Sequence, residues 1–476
     1  MSDTTTFIPD LLYVGGRFHA GRALVCDAGG RVVSVTSNEE LTDETNAVRL
    51  RGRALLPGMV NAHSHAFQRV IRGRTEYRGG AGTDSFWTWR EMMYAAAQRL
   101  TPEDIYDASR MAFMEMMLAG ITSVGEFHYL HRTPEGGEYD DPNLLALEVV
   151  RAARDVGLRI ALLRVAYARA GFQKEPDPRQ MRFIEPDPLT FLRHAESLAR
   201  ELDADPHAWL GVAPHSVRAV TVDYLRRLRS YAYLYHLPLH MHVAEQPAEV
   251  EACVAEHGRT PVKLLADEGV LSPRFTGVHA VHVTPEEVGL LRAAKACVCA
   301  CPTTERNLGD GAVPADLLFQ EGVRVALGTD SHTQIDLLED ARALEYHLRL
   351  KSLRRNVLAP AVVEDESGVE GTPEVARLAA RLFDCATVEG AESIGALAGS
   401  FEPGRAADFF TVDLEDPTIA GASKDDLLPA IVFSLSRAAV RETAVGGRLF
   451  VEAGRHPSQD EIVSRFVSLQ RKLWAH

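Results

Sequence analysis

The chain has 476 residues and a formal net charge of −15, with 46% hydrophobic and 25% charged residues. These values are typical of a soluble globular protein with room for one large α/β domain and a smaller one. The negative charge, without a block of basic residues, argues against nucleic acid and anionic membranes as partners. The N-terminus lacks a signal-peptide pattern, no apolar run is long enough to span a membrane, and six cysteines do not make a disulfide framework, so we expect a reduced cytoplasmic protein.

Short apolar runs broken by glycine and aspartate open the chain and return near its end. The early runs lie at 11–14, 23–26 and 32–35, and the late runs lie at 407–412, 443–445 and 448–451. Runs of this length between turn residues are typical of hairpin strands. We therefore predict one composite β-sandwich domain from residues 1–56 and 403–455, followed by a C-terminal helix over 456–476.

The middle of the chain alternates apolar strand patterns with amphipathic helical patterns. The strand patterns lie at 55–65, 122–127, 159–165, 209–214, 238–243, 276–281, 296–301 and 323–329, and helical patterns include 102–118, 188–202 and 284–294. Such alternation indicates parallel βαβ units, and eight of them predict a (β/α)8 TIM-like barrel over residues 57–402. A doubly wound open sheet is the alternative, but no Gly-x-Gly-x-x-Gly follows the first strand to support nucleotide binding.

One stretch between these patterns is unusually long. Residues 67–94 are rich in arginine, glycine and aromatic residues. We predict a loop there and treat it as a candidate lid over the functional site.

Residue types that bind metals follow most of the predicted barrel strands. His63 and His65 end the first strand, and a strand directs residues i and i+2 to the same face. The later strand ends carry His128, His215, His242 with Glu245, His279 and Asp330. Each of these has an ordinary explanation alone, such as a hydrogen-bonded structural histidine or, for Asp330, a helix N-cap. Because catalytic residues of barrels collect at the carboxyl ends of the strands, their joint occurrence predicts a metal site.

Three alternating cysteines form a second group of candidate ligands. Cys297, Cys299 and Cys301 would share one face of a strand. A thiolate metal site and small interior side chains are both consistent with this pattern. We favour the interior reading, because the histidine-rich strand ends make the better metal site.

The strand-end motifs resemble the amidohydrolase superfamily, in its mononuclear deaminase branch. The resemblance rests on His63-Ser-His65 after an apolar Pro-Gly run, His242-Val-Ala-Glu245, the strand-end His279 and Gly-Thr-Asp330, and it extends over most of the chain. It implies that the metal is held by His63, His65, His242 and Asp330. No lysine stands at a strand end to bridge two ions, which favours one ion. Three imidazoles and a carboxylate suit Zn²⁺, with iron as the alternative.

The resemblance also implies attack of metal-activated hydroxide on a C=N carbon, followed by loss of ammonia. Glu245 lies three residues after His242, so it must sit just past the strand end to turn inward and shuttle a proton. Its alternative is a surface carboxylate. Asp330 would ligate the metal and also accept the proton of the attacking water. His279 would contact the water or the electrophile, or would only orient another group, and the two readings are about equally supported.

The residues around the strand ends bear on the substrate. Arg90 and Arg218 lie in separate stretches and would suit a substrate with two carboxylates, because the guanidinium fork binds carboxylates bidentately. From the residues alone, two surface salt bridges are an equally good reading.

A closer resemblance decides between these readings of the arginines. Residues 63–69, 86–91, 126–129 and 214–218 are similar to the N-formimino-L-glutamate deiminase family. This implies hydrolysis of the formimino group in histidine degradation, giving N-formyl-L-glutamate and ammonia, by a homodimer. It also implies that the glutamate part is held by Gln68, Arg90, Tyr129, His215 and Arg218.

Three other functions compete with this reading. The first is another deaminase of the superfamily, acting on guanine, cytosine, adenosine or a triazine. The second is a barrel that has lost its metal and serves as a binding or scaffold protein, although all four implied ligands and Glu245 are present. The third is a formimino-aspartate or guanidino-acid substrate, since the sequence does not reveal the length of the substrate's chain.

Overall fold

The structure is a computed structural model that describes residues 4–41, 46–77, 84–172, 174, 177–361 and 372–475. Within these residues the strands, in chain order, are β1 (Thr5–Val14), β2 (Arg17–His19), β3 (Arg22–Cys26), β4 (Val32–Ser37), β5 (Ala47–Pro57), β6 (Met59–Ser64), β7 (Ile121–His128), β8 (Arg159–Ala166), β9 (Ala208–Pro214), β10 (Leu239–Val243), β11 (Phe275–His279), β12 (Cys297–Ala300), β13 (Arg324–Leu327), β14 (Phe409–Asp413), β15 (Val440–Val445) and β16 (Arg448–Val451).

The α-helices of the same residues are α1 (Phe86–Ala97), α2 (Pro102–Leu118), α3 (Leu144–Val156), α4 (Pro188–Leu202), α5 (Val222–Leu234), α6 (Pro247–His257), α7 (Pro261–Asp267), α8 (Pro285–Ala293), α9 (Pro302–Leu308), α10 (Ala315–Gln320), α11 (Leu337–Ser352), α12 (Arg377–Cys385), α13 (Val388–Ile394), α14 (Leu427–Ser434) and α15 (Gln459–Trp474). Short 3-10 turns include Ala66–Ile71 and Pro178–Gln180. In this part of the chain, none of the helices has the combination of length and apolar character needed to cross a membrane.

Strands from both ends of the chain form one mixed sheet. Its order among the described residues is β16-β15-β14-β5-β1-β3-β4, with β2 paired to β1. The pairing of β14 with β5 joins the two ends, since Phe409 lies opposite Pro57 in an antiparallel register. Phe7, Leu55 and Phe409 are buried in a separate apolar cluster of this sheet.

Strands β6 to β13 form a parallel sheet in which each strand pairs with the next in chain order. A parallel bridge between Ser64, at the end of β6, and Asp330, just after β13, brings the two edges together. The amide of Asp330 donates to the carbonyl of His63 at 3.0 Å, and the amide of His65 donates to the carbonyl of Asp330 at 3.1 Å. The predicted (β/α)8 barrel with a small β domain built from both termini is thereby confirmed, whereas the domain boundaries at residues 57 and 403 stay predictions.

The helices predicted at 102, 188 and 284 begin where local chemistry favours a start. Thr101 caps α2 and Thr284 caps α8, each with an acidic residue three positions on that completes a capping box. Asp187 caps α4, and all three helices have proline in the first turn, where its missing N–H is not needed.

The stretch predicted as a loop over residues 67–94 is largely helical where it is described. The 3-10 turn Ala66–Ile71 follows β6 directly, and α1 begins at Phe86 behind the cap residue Ser85. Residues 78–83 lie outside the described residues. The prediction of one continuous loop was therefore wrong, because Ser85 and the helix-forming run after it start a helix. A lid function stays a prediction.

The C-terminal helix α15 packs beside the start of the barrel. Arg110 of α2 pairs with Glu461 at 2.7 Å. Gln470 donates to the carbonyl of Val70 at 2.9 Å, and Arg69 stacks on Phe466 at 4.9 Å. The helix thus supports the 66–71 turn, which carries Gln68 into the site.

Candidate active site

Four side chains converge at the carboxyl ends of the barrel strands, and they are the four predicted metal ligands. The Nε2 atom of His63 lies 3.2 Å from the Nε2 atoms of both His65 and His242. The Oδ1 atom of Asp330 lies 3.4 Å from His63 Nε2 and 3.2 Å from His65 Nε2. All four residues are buried.

The chemistry of this cluster fits a divalent metal ion. The Nδ1 atoms of His65 and His242 lie 2.9 Å from the carbonyl of Phe127 and 3.1 Å from that of His215, so these nitrogens carry the ring protons. Their Nε2 lone pairs therefore face one another, an arrangement that a cation stabilises. Ligand atoms about 2.0–2.2 Å from a tetrahedral zinc ion would lie roughly 3.3 Å apart, as these atoms do.

The charge state of the cluster agrees with this chemistry. Burial lowers the pKa of His63 to about 3 and holds that of His242 well below its usual range, so both rings are neutral near pH 7. Burial alone would raise the pKa of Asp330, but hydrogen bonds to His63 and His65 hold it well below its usual range. The set is therefore three imidazoles and one carboxylate, a usual donor set for zinc.

The backbone at the strand ends takes a conformation that side chains rarely adopt. The φ angle is 51° at Ala244, 71° at His279 and 44° at Asp330. Left-handed residues other than glycine are uncommon and collect at functional sites. The turn at Ala244 redirects the chain, so that Glu245 is buried beside the cluster although it lies three residues after His242.

Glu245 and His279 lie next to the four-residue cluster. His279 Nε2 is 3.6 Å from Glu245 Oε1 and 3.8 Å from Asp330 Oδ2. Burial raises the pKa of Glu245, and the charge of Asp330 acts in the same direction. Burial would lower the pKa of His279, but Glu245, Glu305 and Asp330 raise it well above its usual range. The structure therefore brings the Glu245 carboxyl group and the His279 imidazole to the edge of the four-residue cluster.

A cleft opens from this cluster, and the five predicted substrate-binding residues line it, namely Gln68, Arg90, Tyr129, His215 and Arg218. Gln68 Nε2 donates to the Tyr129 hydroxyl at 2.8 Å, and Gln68 Oε1 is buried without a partner among the described residues. His215 Nδ1 contacts Ser216 Oγ at 3.1 Å, while the carbonyl of His215 orients His242. His215 thus connects the cleft with the metal cluster.

The two arginines of the cleft do not form the surface salt bridges that were the alternative reading. Within the described residues, neither guanidinium has a carboxylate within 4.0 Å, and Arg90 Nε is buried without a partner. The Arg90 guanidinium instead stacks over Trp87 at 4.5 Å. Burial lowers the pKa of Arg90, and Tyr94 acts in the opposite direction. Burial would also lower the pKa of Arg218, but Tyr167 and Glu249 raise it above its usual value. Both arginines remain charged and available to an anionic ligand.

The structure adds residues that the sequence reasoning did not single out. Tyr94, Tyr167 and Phe183 line the same cleft. Glu305 is buried, accepts the backbone N–H of Cys301 at 2.8 Å and lies 3.3 Å from His279 Nδ1. Tyr167 directly follows β8, so a reading of all strand ends would have found it, whereas no local pattern marks Glu305.

The remaining strand-end candidates lie outside the cluster. His128 is buried and its ring lies 5.8 Å from that of His131. Cys297, Cys299 and Cys301 pack with Ala62 and Val278 in a small interior cluster. This agrees with the interior reading of the cysteines, although Cys301 Sγ also lies near ligand atoms of His279 and Glu305.

The comparisons with known proteins agree with this geometry. Residues 54–450 match the amidohydrolase family. The chain belongs to the amidohydrolase family. It is therefore a hydrolase that acts on C–N bonds, as the sequence predicted, and amidohydrolases use a divalent metal ion.

Three known proteins are similar to this amidohydrolase in sequence or in structure. It is 39% identical over 423 residues to the formimidoylglutamate deiminase of Pseudomonas aeruginosa, covering 89% of this chain and 90% of that protein. The crystal structure of an amidohydrolase from Brucella melitensis superposes with a TM-score of 0.88 at 34% identity, over 98% of this chain and 99% of that one. An adenosine deaminase from Xanthomonas campestris with bound zinc superposes with a TM-score of 0.80 at 21% identity, over 98% of both chains, and shares the fold.

Proposed function

We propose that this amidohydrolase hydrolyses N-formimino-L-glutamate to N-formyl-L-glutamate and ammonia, a step of histidine degradation. The observation that carries the proposal is the pair Arg90 and Arg218, two charged side chains that have no carboxylate partner among the described residues and line the cleft beside the four-residue cluster. They suit a substrate with two carboxylates. The 39% identity with a formimidoylglutamate deiminase supports the same substrate.

One zinc ion would be held by His63, His65, His242 and Asp330. The distances between their ligand atoms and the neutral state of His63 and His242 support this assignment. The ion would supply the Lewis acidity that makes a water molecule nucleophilic at neutral pH.

The side chains around the ion would move the protons of the reaction. Asp330, held ionised, would accept a proton from the attacking water. The water oxygen bonds to the formimino carbon, which becomes tetrahedral with two nitrogens. Glu245, whose pKa is raised by burial, then passes a proton to the terminal nitrogen. The C–N bond breaks and ammonia leaves, while the hydroxyl proton of the tetrahedral species returns to Glu245 as the C=O bond of the formyl group forms. His279, whose Nε2 lies 3.6 Å from Glu245 Oε1, would donate a hydrogen bond to the water oxygen while this oxygen attacks the formimino carbon.

The other end of the cleft would hold the glutamate part of the substrate. Arg90 and Arg218 would pair with carboxylates. Gln68 Oε1, which has no partner among the described residues, would accept a hydrogen bond from a substrate N–H. Tyr129 and His215 would line the path between these groups and the metal cluster. The formimino group is an amidine and a cation near neutral pH, so the acidic Glu245 and Asp330 favour its position beside the metal.

The proposal includes the location, the oligomeric state and the partners of the enzyme. We propose a cytoplasmic homodimer that acts on a small molecule and binds neither nucleic acid nor membranes. The net charge of −15 supports the last two points, and the family resemblance supports the dimer. Sedimentation equilibrium of the purified protein would test the dimer, and a monomer at micromolar concentration would contradict it.

Ammonia release by zinc-loaded protein tests the proposed function. N-formimino-L-glutamate, N-formimino-L-aspartate, guanine and cytosine would be compared at equal concentration, with chelator-treated protein as the control. We expect rapid release from the glutamate derivative alone and none from the chelated protein. Faster release from a nucleobase would contradict the assignment of the two arginines, and faster release from the aspartate derivative would correct the length of the substrate.

A further inference from the structure

Two tyrosines of the cleft have no part in the mechanism described so far. Tyr94 lies on α1 and Tyr167 lies directly after β8, and both line the cleft that holds Arg90 and Arg218. Their exposed fractions are 3% and 2%, so each hydroxyl needs a hydrogen-bond partner inside the protein or on a bound ligand.

One buried side chain contacts both hydroxyls. Gln180 Nε2 lies 2.5 Å from the Tyr94 hydroxyl and 2.9 Å from the Tyr167 hydroxyl, and Gln180 is 1% exposed. An amide NH2 group only donates hydrogen bonds, so both phenolic oxygens act as acceptors here. In this orientation of the amide, Gln180 Oε1 is buried without a partner among the described residues, and the two phenolic protons remain without an acceptor.

The groups around the Tyr94 and Tyr167 hydroxyls favour an anion as the hydrogen-bond acceptor for one of these hydroxyls. The two hydroxyls interact with each other, and a bond between them uses only one of the two protons. The Arg90 guanidinium lies 5.4 Å from the Tyr94 ring, and both tyrosines influence the pKa of Arg218. Burial raises the pKa of Tyr167, so it stays protonated as a donor. The cleft thus has donors and positive charge at this end, and the missing partner is an acceptor.

We propose that Tyr94 and Tyr167, held by Gln180, donate a hydrogen bond to a substrate carboxylate that Arg90 or Arg218 also binds. This rests on the proposed function only in that the substrate carries carboxylates. The arrangement selects for a carboxylate over a carboxamide, because the NH2 group of an amide would face donors and leave buried donors unpaired. The three residues would therefore determine specificity at the end of the cleft away from the reacting carbon.

Binding of glutarate, a dicarboxylate without a formimino group, tests this inference without catalysis. Calorimetry would compare the zinc-loaded wild type with Tyr94→Phe, Tyr167→Phe and the double variant. The matched control is Tyr224→Phe, since Tyr224 is similarly buried and donates to the carbonyl of Glu185 at 3.2 Å but is not one of the residues that line the cleft. We expect at least about tenfold weaker binding in the double variant and unchanged binding in the control.

Turnover gives a second readout that a general loss of structure would not produce. The double variant should lose kcat/KM for N-formimino-L-glutamate and keep that for its carboxamide counterpart, N-formimino-L-glutamine. Unchanged glutarate affinity in a folded double variant would overturn the inference, and it would mean that the hydroxyl protons point to Gln180. Failure of the wild type to bind glutarate would also overturn it. Tyrosine-dependent glutarate binding without deiminase activity would uphold it and refute the proposed function.

Discussion

Replacing Arg218 by methionine tests how the substrate is held. Methionine keeps an unbranched apolar side chain but removes the charge and the donors of the guanidinium. No described carboxylate lies within 4.0 Å of Arg218, so the change breaks no internal salt bridge among these residues. What is lost is a charge-assisted hydrogen bond to the substrate in a buried cleft, about 1.5–3 kcal/mol. That corresponds to roughly ten- to hundredfold in KM, since about 1.4 kcal/mol is a factor of ten.

The assay would measure kcat and KM for ammonia release together with bound zinc. We expect KM to rise while kcat changes much less, because the lost contact serves the ground state and the transition state alike. Bound zinc should stay at the wild-type level, as Arg218 is not one of the four clustered residues. Arg292→Met is the control, since Arg292 is 60% exposed and faces Glu321 on the surface. A normal KM in Arg218→Met, or loss of zinc, would refute the assignment of Arg218.

Three further variants test other parts of the mechanism. Glu245→Gln should retain zinc and lose roughly 10²–10⁴ in kcat, because an amide cannot shuttle the proton; stopped-flow rates and metal analysis check this. Asp330→Asn should lower both zinc content and turnover, since a ligand and a proton acceptor are weakened together. His131→Gln tests how the stability of the fold depends on pH. Burial lowers the pKa of His131 from 6.5 to about 4, so between these values the unfolded chain binds a proton that the folded chain does not. The free energy of unfolding is therefore unaffected by this group above pH 6.5 and decreases as the pH falls towards 4. The wild type should therefore lose roughly 3 kcal/mol relative to His131→Gln over that range, measured by urea unfolding at each pH.

For each of the three variants, one result would contradict the prediction. Unchanged activity in Glu245→Gln would remove Glu245 from the mechanism. Wild-type zinc and turnover in Asp330→Asn would mean that Asp330 neither ligates nor accepts a proton. Parallel pH profiles of wild type and His131→Gln would show that His131 is protonated to the same degree in the folded and unfolded chain.

The barrel and the cluster of four candidate metal ligands follow from patterns in the sequence. Each of the eight strand patterns overlaps a barrel strand of the structure, because parallel strands that are buried on both faces consist of nearly continuous apolar runs. Proline after a capping residue marked the starts of α2, α4 and α8. The spacing of His63 and His65, together with the histidine, glutamate and aspartate residues at later strand ends, predicted a metal site at this end of the barrel. The family resemblance then supplied His242 and Asp330 as the other two ligands.

Other parts of the site depend on contacts that no local pattern contains. Glu305 reaches His279 from the beginning of α9, and Gln180 reaches Tyr94 from a 3-10 turn more than 80 residues away. These pairs exist only because the barrel brings distant loops to one end. Helix α1 was missed for a different reason, since the glycine- and arginine-rich residues before it outweighed the local signal of Ser85.

The measurement to make first is the identity of the product. The substrate would be N-formimino-L-glutamate labelled with ¹³C at the formimino carbon. Zinc-loaded protein would be followed by NMR while ammonia is determined in the same sample. We expect the label in N-formyl-L-glutamate, with one equivalent of ammonia and no free glutamate. Label in formamide together with free glutamate would mean that the other C–N bond is cleaved, and an unchanged substrate would mean that this site serves a different amidine.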